Sequence, residues 1–248
     1  FNLFQAAQEG AALPSLAIAK PAEAIKSPEE IRAEWLKLRL GKFTCSEFHR
    51  LMAYQGKSEL PKGGETYAMK KAIELLTESQ PDGYISPAMA WGIEHEAEAI
   101  QAFMNATGLE VSNHGHKQVF LQMGNDIGGT ADGLIPKIGS GVEVKCPDSD
   151  THMEYMEIKD AESLKAINPK YYWQCQGLMK INICHRFWYF VSYDPRFKNS
   201  KLRLHIAKIK RNDADIEDLM DRLALAIKYR DEFIAEINRK AARSESLL

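Results

Sequence analysis

Two carboxylates and a lysine in the middle of the chain, Asp132, Glu143 and Lys145, have types and spacing that could do chemistry. They fall in two short runs of β character, Gly129–Ile135 and Val142–Lys145, separated by the turn signal Ile138-Gly139-Ser140-Gly141. Alternate side chains of a strand share a face, so Glu143 and Lys145 point one way. Val142, Val144 and Cys146 point the other way, into a core. A hairpin built from these runs brings Asp132 alongside Glu143. Two carboxylates at one point repel each other and are costly to bury. A divalent cation resolves that conflict, and an all-oxygen set suits Mg²⁺ or Mn²⁺. A lysine beside them can hold a water and help to deprotonate it, while the metal stabilises charge developing on a phosphoryl oxygen. The parts together describe metal-assisted phosphodiester hydrolysis. Glu-x-Lys also occurs as a surface ion pair on exposed strands, so the context matters. Here the Asp stands beside Gly133 at a strand end, the Glu and Lys lie in an apolar strand, and Cys146-Pro147 stops that strand abruptly.

The elements that must position these residues are legible from period and caps. Residues 1–26 read as a loosely structured arm interrupted by Pro14 and Pro21, one that extends a subunit contact or links to an upstream domain. Ser27, Pro28 and Glu30 form a capping-box start for a helix running to about Leu40 and stopping at Gly41. A second helix starts near Cys45-Ser46, residues 55–65 form a loop, and another helix covers about 66–79. Ser86-Pro87 opens a helix that ends before Gly108, with Trp91, His95, Ala99 and Phe103 in one row and Gly92, Glu96 and Ile100 in the next. Short strands are expected at Glu110–Val111 and Lys117–Gln122, then the central hairpin. Helices follow at about 150–165 and 170–182, strands at Phe187–Tyr193 and Leu202–Ile209, and a long amphipathic helix from Asp215 to about Ala241. This order predicts one mixed α/β (α+β) domain over residues 27–241, a central mixed β-sheet flanked by helices, followed by a tail at 242–248.

The bulk numbers limit the class. The 248 residues are 45% hydrophobic and 27% charged, a soluble globular composition without a spanning segment. The start of the chain lacks a signal-peptide pattern. Cys45, Cys146, Cys175 and Cys184 form no C-x-x-C pair, which reads as reduced thiols in a cytosolic protein and lacks iron–sulfur spacing. A net charge of −2 offers no global basic face for nucleic acid. Between Lys37 and Lys71, however, eight basic residues stand against three acidic ones. His114 and His116 have no third metal partner in view and read as loop residues, and Trp91 reads as core packing.

Four colinear blocks carry a resemblance. They are Trp35 to Gly41 with Thr44 to Glu47; Ala90-Trp91-Gly92 through Glu96; Thr130 to Gly133 with Glu143 to Pro147; and Tyr171 through Gln174 and Gln176, followed by Trp188 and Tyr193 to Arg196. Over about residues 32–235 the chain resembles the lambda exonuclease family, phage-type YqaJ-like alkaline exonucleases of the PD-(D/E)xK nuclease superfamily with a restriction-endonuclease-like core. By position, the resemblance implies that Asp132 and Glu143 are metal ligands, with the Val144 carbonyl a further one, and that Lys145 is the catalytic lysine. It implies that Glu96 approaches the metal directly or through water, and that a glutamine, Gln174, lies near the attacking site. Gln174 and Gln176 lie about 200° apart on a helix, so only one faces the metal; Gln174 shares its side with Tyr171 and Leu178. Arg39 and Ser46 match a pocket for a DNA 5′-phosphate, where Thr130 can add a hydroxyl.

The resemblance further implies a Mg²⁺-dependent 5′-to-3′ exonuclease acting on the ends of linear double-stranded DNA. Such an enzyme releases 5′-mononucleotides and leaves 3′ overhangs. It would work as a ring-shaped homo-oligomer, a trimer in preference to a tetramer, with a single-strand annealing protein as recombination partner in the cytoplasm of a bacterial host. An endonuclease of the same superfamily would share the metal site but have no use for Arg39 and Ser46 as an end pocket. An inert DNA-binding assembly module would have no use for the Asp–Glu–Lys set.

Overall fold

A computed structural model describes residues 27–54, 57–80, 86–183 and 186–245. The expected N-terminal arm, Cys184, the start of the 55–65 loop and the last residues of the tail lie outside the described residues. The chain divides into two units, residues 1–33 and 34–248. Helix α1 (Pro28–Arg39) runs across that boundary. Its start is the expected capping box: Ser27 N–H donates to Glu30 Oε2 at 2.7 Å and Glu30 N–H donates to Ser27 Oγ at 3.2 Å.

In the larger unit, β1 (Phe43–Thr44) leads into a 3₁₀ helix at Cys45–Tyr54 that buries Cys45, Phe48, Leu51 and Met52. Helix α2 (Lys62–Thr77) begins four residues before the expected start of 66. Packing of its first turn on Leu51 overrides the poor helix propensity of Gly63 and Gly64. Helix α3 (Pro87–Thr107) opens as expected, with Ser86 Oγ accepting from Met89 N–H, and closes at Gly108.

The single run expected over Gly129–Ile135 is two strands. β2 (Phe120–Met123) and β3 (Ile127–Thr130) join β1 in one sheet of order β1-β3-β2. β4 (Gly133–Ile135) opens a second sheet with β5 (Ser140–Lys145), and Val111 precedes only an isolated bridge from Ser112 to Leu134. The fully buried Ala131 and half-buried Asp132 are the crossover between the two sheets. The expected 150–165 helix is likewise two, α4 (Ser149–Tyr155) and α5 (Ala161–Ile167). Asp160 restarts the chain there by a capping box with Ser163. Helix α6 (Pro169–Ile181), β6 (Phe187–Tyr193), β7 (Leu204–Lys210) and α7 (Asp213–Glu245) complete the fold. α7 continues four residues past the expected Ala241.

The second sheet has order β4-β5-β6-β7, with β5 and β6 parallel and its other neighbours antiparallel. Its two faces carry separate cores. Trp188 and Phe190 belong to one, with Tyr172, Trp173, Leu178 and Leu219. Val142, Val144, Cys146, Tyr189 and Val191 belong to the other, with Ala99, Ile100 and Phe103 of α3. The alternation expected for Val142, Val144 and Cys146 is therefore observed. No helix among the described residues is long and apolar enough to cross a membrane. Cys45, Cys146 and Cys175 are buried and unpaired.

Candidate active site

Asp132 sits at the crossover between the sheets, and its Oδ2 accepts the Val144 N–H at 2.7 Å. This bond ties the crossover to the middle of β5. Glu143 lies in register with Phe190 of β6, and its side chain is fully buried. Its Oε1 accepts from Gln174 Nε2 at 2.6 Å and contacts the Lys145 ammonium. Its Oε2 is buried without a hydrogen-bond partner among the described residues. An orphaned buried acceptor costs about 1–3 kcal/mol, more when charged. Lys145 Nζ stands 3.6 Å from Asp132 Oδ2 and 4.9 Å from the Tyr171 ring centroid.

Burial drives the Glu143 carboxyl above its ordinary range, and the Asp132 charge pushes it further; the Lys145 ammonium opposes both. Burial lowers the Lys145 pKa, but Glu143 and Asp132 outweigh it and hold the ammonium charged. Glu96, projecting from α3, accepts from Gln118 Nε2 at 2.9 Å. Its burial, and then Asp132, raise its pKa to about 7. Among the described residues no three His, Cys, Asp or Glu side chains form a ready metal-binding group. The donor chemistry nevertheless fits a hard cation: two carboxylates converge, and one offers a buried oxygen with no proton donor.

Helix α6 explains the choice between the glutamines. Gln174 reaches Glu143, whereas Gln176 bonds the backbone of Lys210 and Asn212 at the far side of the helix. Asn168 caps this helix and Pro169 starts it, so its register is set locally. The same face brings Tyr171 over Lys145. The sequence marks Tyr171 only as sharing a helix side with Gln174; its i, i+3 spacing is the signal that it joins the site.

A cleft of about 700 Å³ opens over Asp132 and Lys145, walled by Trp91, Glu96, Tyr171 and Arg196. Trp91, expected in the core, packs partly against it but also lines this wall, with the Arg196 guanidinium 4.6 Å above its ring. Arg196 is anchored by Asp194 at 2.7 Å and by the Pro147 carbonyl at 2.8 Å. Nothing in local spacing pairs residues so far apart in sequence. His114 precedes a 3₁₀ turn at Gly115–Lys117, and His116 lies within it.

Arg39, Ser46 and Thr130 lie around the first sheet. The Arg39 guanidinium stacks 4.2 Å over Trp35, lies 3.4 Å from Thr44 Oγ1 and stands 5.9 Å from the Phe120 ring. Phe120 is the register partner of Thr130, whose Oγ1 is buried without a partner among the described residues. Ser46 is half-buried in the first turn of the 3₁₀ helix. Among the described residues Arg39 forms no ion pair, and burial lowers its pKa.

Comparison with known proteins bears on the family and the fold. Residues 34–185 match the model of the YqaJ-like viral recombinase domain. The fold is similar to that of the alkaline exonuclease LHK-Exo from Laribacter hongkongensis, at 26% identity over 85% of this chain and 98% of that one, with a TM-score of 0.69. The same enzyme in complex with dAMP gives 0.70. A phage-related exonuclease from Haemophilus somnus 129PT shares the fold at 18% identity, with a TM-score of 0.66 over 79% of this chain and 96% of that one. No curated protein sequence matches the chain. The mixed α+β architecture and its PD-(D/E)xK-type core are thus those of the alkaline exonucleases, as the resemblance implied. The chain belongs to the YqaJ-like viral recombinase domain family and is a nuclease of the alkaline-exonuclease type.

Proposed function

We propose that the chain is a Mg²⁺-dependent exonuclease that degrades one strand of linear double-stranded DNA from its 5′ end. The observation that carries this reading is the Lys145 ammonium held against Glu143 and Asp132 at the base of an open cleft. Asp132, Glu143 and the Val144 carbonyl would hold the divalent cation, with Glu96 nearby. When bound, the cation supplies neutralisation of the two carboxylates and of the charge developing on the phosphoryl oxygens.

Lys145, held as an ammonium, orients the attacking water and offsets the negative charge that develops on its oxygen; the water's proton passes to solvent, and solvent returns one to the departing 3′ oxygen. Gln174 fixes the Glu143 carboxylate by donating to Oε1, and Oε2 has no hydrogen-bond partner among the described residues. The new bond joins water oxygen to phosphorus, and the bond to the 3′ oxygen of the terminal nucleotide breaks. That nucleotide leaves as a 5′-mononucleotide, a product class that the dAMP complex of LHK-Exo supports. The phosphate stays on the next nucleotide, so each turnover regenerates a 5′-phosphorylated end and leaves a growing 3′ overhang. Arg39, Ser46 and Thr130 would receive that phosphate: an arginine without an ion-pair partner and a hydroxyl without a hydrogen-bond partner among the described residues are the groups such an anion satisfies. A homo-oligomeric ring, a trimer in preference to a tetramer, would keep a chain of net charge −2 on its substrate, because encirclement supplements counterion-dependent affinity. An annealing protein would take the exposed 3′ strand in recombination.

The test is digestion of 5′-phosphorylated linear duplex and of closed circular duplex with Mg²⁺, with the oligomeric mass measured in the same buffer. Linear DNA should be consumed and circular DNA spared. Lys145→Ala should slow linear digestion by about 10²- to 10⁴-fold while divalent-cation binding persists. Equal cutting of the circle would overturn the exonuclease reading.

A further inference from the structure

The corner that joins α1 to β1 is held from two sides by charged side chains. Gly41, at φ +68°, is its pivot, and the Leu75 side chain occupies the space a Cβ would need. The Gly41 N–H donates to Glu74 Oε2 of α2 at 3.0 Å. Its carbonyl accepts from Arg230 Nη1 of α7 at 3.0 Å. Glu74 is itself gripped by Lys71 Nζ at 2.8 and 3.0 Å and by Gln80 Nε2 at 2.9 Å. Arg230 is only 5% exposed; its Nη2 reaches Asp126 Oδ1 at 2.7 Å, and its guanidinium lies 5.7 Å over the Phe43 ring. The Asp126 carbonyl in turn accepts the Phe43 N–H at 2.8 Å.

One clamp thus joins three segments. Arg39 lies two residues before the corner, Thr44 three residues after it, and Asp126 directly before β3, which ends at Thr130. Charge-assisted bonds to backbone are shorter and stronger than neutral ones. Arg230 and Glu74 each direct one such bond to the same glycine.

We propose that Arg230 and Glu74 are positioning residues for strand-end recognition, locking the Gly41 corner so that the Arg39 guanidinium meets the terminal phosphate in register with Thr130. This rests on the end-binding role proposed for Arg39. Recognition of a phosphate by a forked guanidinium tolerates little displacement, so the clamp acts on binding of phosphorylated ends and far less on bond cleavage at Lys145.

The experiment compares kcat and KM of the full chain, with Mg²⁺, on linear duplexes bearing 5′-phosphate or 5′-hydroxyl ends. Arg230→Gln should raise KM for phosphorylated ends about tenfold with a much smaller change in kcat, and should erase most of the phosphate preference. Arg230→Lys, which keeps the charge and one donor, should recover part of it. If Arg230→Gln does not fold, Asp126→Asn weakens the same clamp at its partner beside β3 and should shift KM in the same direction. A folded Arg230→Gln or Asp126→Asn protein with unchanged phosphate preference would overturn the proposal, as would equal losses of kcat on both ends. If Arg39→Ala also leaves the preference intact, the end-binding reading fails with it. If Arg39→Ala removes the preference and Arg230→Gln does not, the clamp alone is wrong.

Discussion

Glu143 and Glu96 are two raised carboxylates with different surroundings. Glu143 is sealed beneath Gln174 and Lys145, while Glu96 stands on the cleft wall with Gln118 as its donor. The raised value of Glu96, about 7 against an ordinary 4.5, has a consequence for stability. A group whose folded pKa lies above its unfolded one stabilises the fold below the unfolded value and loses that contribution as pH rises through the folded one. With metal chelated, Tm should therefore fall as pH rises from about 4.5 to 7, and Glu96→Gln should flatten part of that fall. Mg²⁺ should raise Tm more at pH 8 than at pH 5, because it binds the ionised forms. Scanning calorimetry at the two pH values checks this, and an unchanged slope in Glu96→Gln would assign the effect to other groups.

At the scale of elements, the site depends on α6 lying flush against the 3₁₀ helix that carries Ser46. Gly177 makes that approach possible: a Cβ there would fall 2.6 Å from two atoms of the Phe48 ring and 3.2 Å from Cys45 Sγ. Gly177→Ala should therefore destabilise the protein by about 1–3 kcal/mol in urea unfolding. The strain falls between Gln174 and Ser46, so phosphate preference and turnover should both suffer; a neutral Gly177→Ala would mean that the interface yields. Much at this scale was legible in the sequence. The caps at Ser27 and Ser86 are local hydrogen bonds between residues three apart, and they form where the spacing predicts. The break between α4 and α5 was also written locally, in Asp160 and Ser163, yet a helical period running across it concealed the signal. The early start of α2 was not local, because contact with Leu51 decided it.

At the scale of the whole molecule, α7 ties segments near the start of the larger unit to its end. Arg222, 2% exposed, donates to the carbonyls of Leu51, Lys57 and Glu59, as Arg230 does to Gly41. Arg222→Met keeps the volume but leaves three carbonyls without their donor. It should cost about 3 kcal/mol or more, measured as a lower midpoint of denaturation. A smaller effect would mean that water replaces the guanidinium.

The sequence by itself determined which face of β5 carries chemistry, because a period of two puts Glu143 and Lys145 opposite Val142, Val144 and Cys146 wherever the strand lies. It determined that Gln174 and Gln176 cannot both face one side of their helix, since the angular step separates them; the resemblance, not the step, pointed to Gln174. Tertiary structure alone decided that the run through Gly129–Ile135 divides between two sheets at Ala131 and Asp132. It alone decided that Tyr171 covers Lys145, that Trp91 and Arg196 wall the cleft, and that Arg230 grips Gly41. Local periods encode direction along one element. The pairing of residues a hundred or more positions apart is settled only by which surfaces bury each other and which buried polar groups find partners.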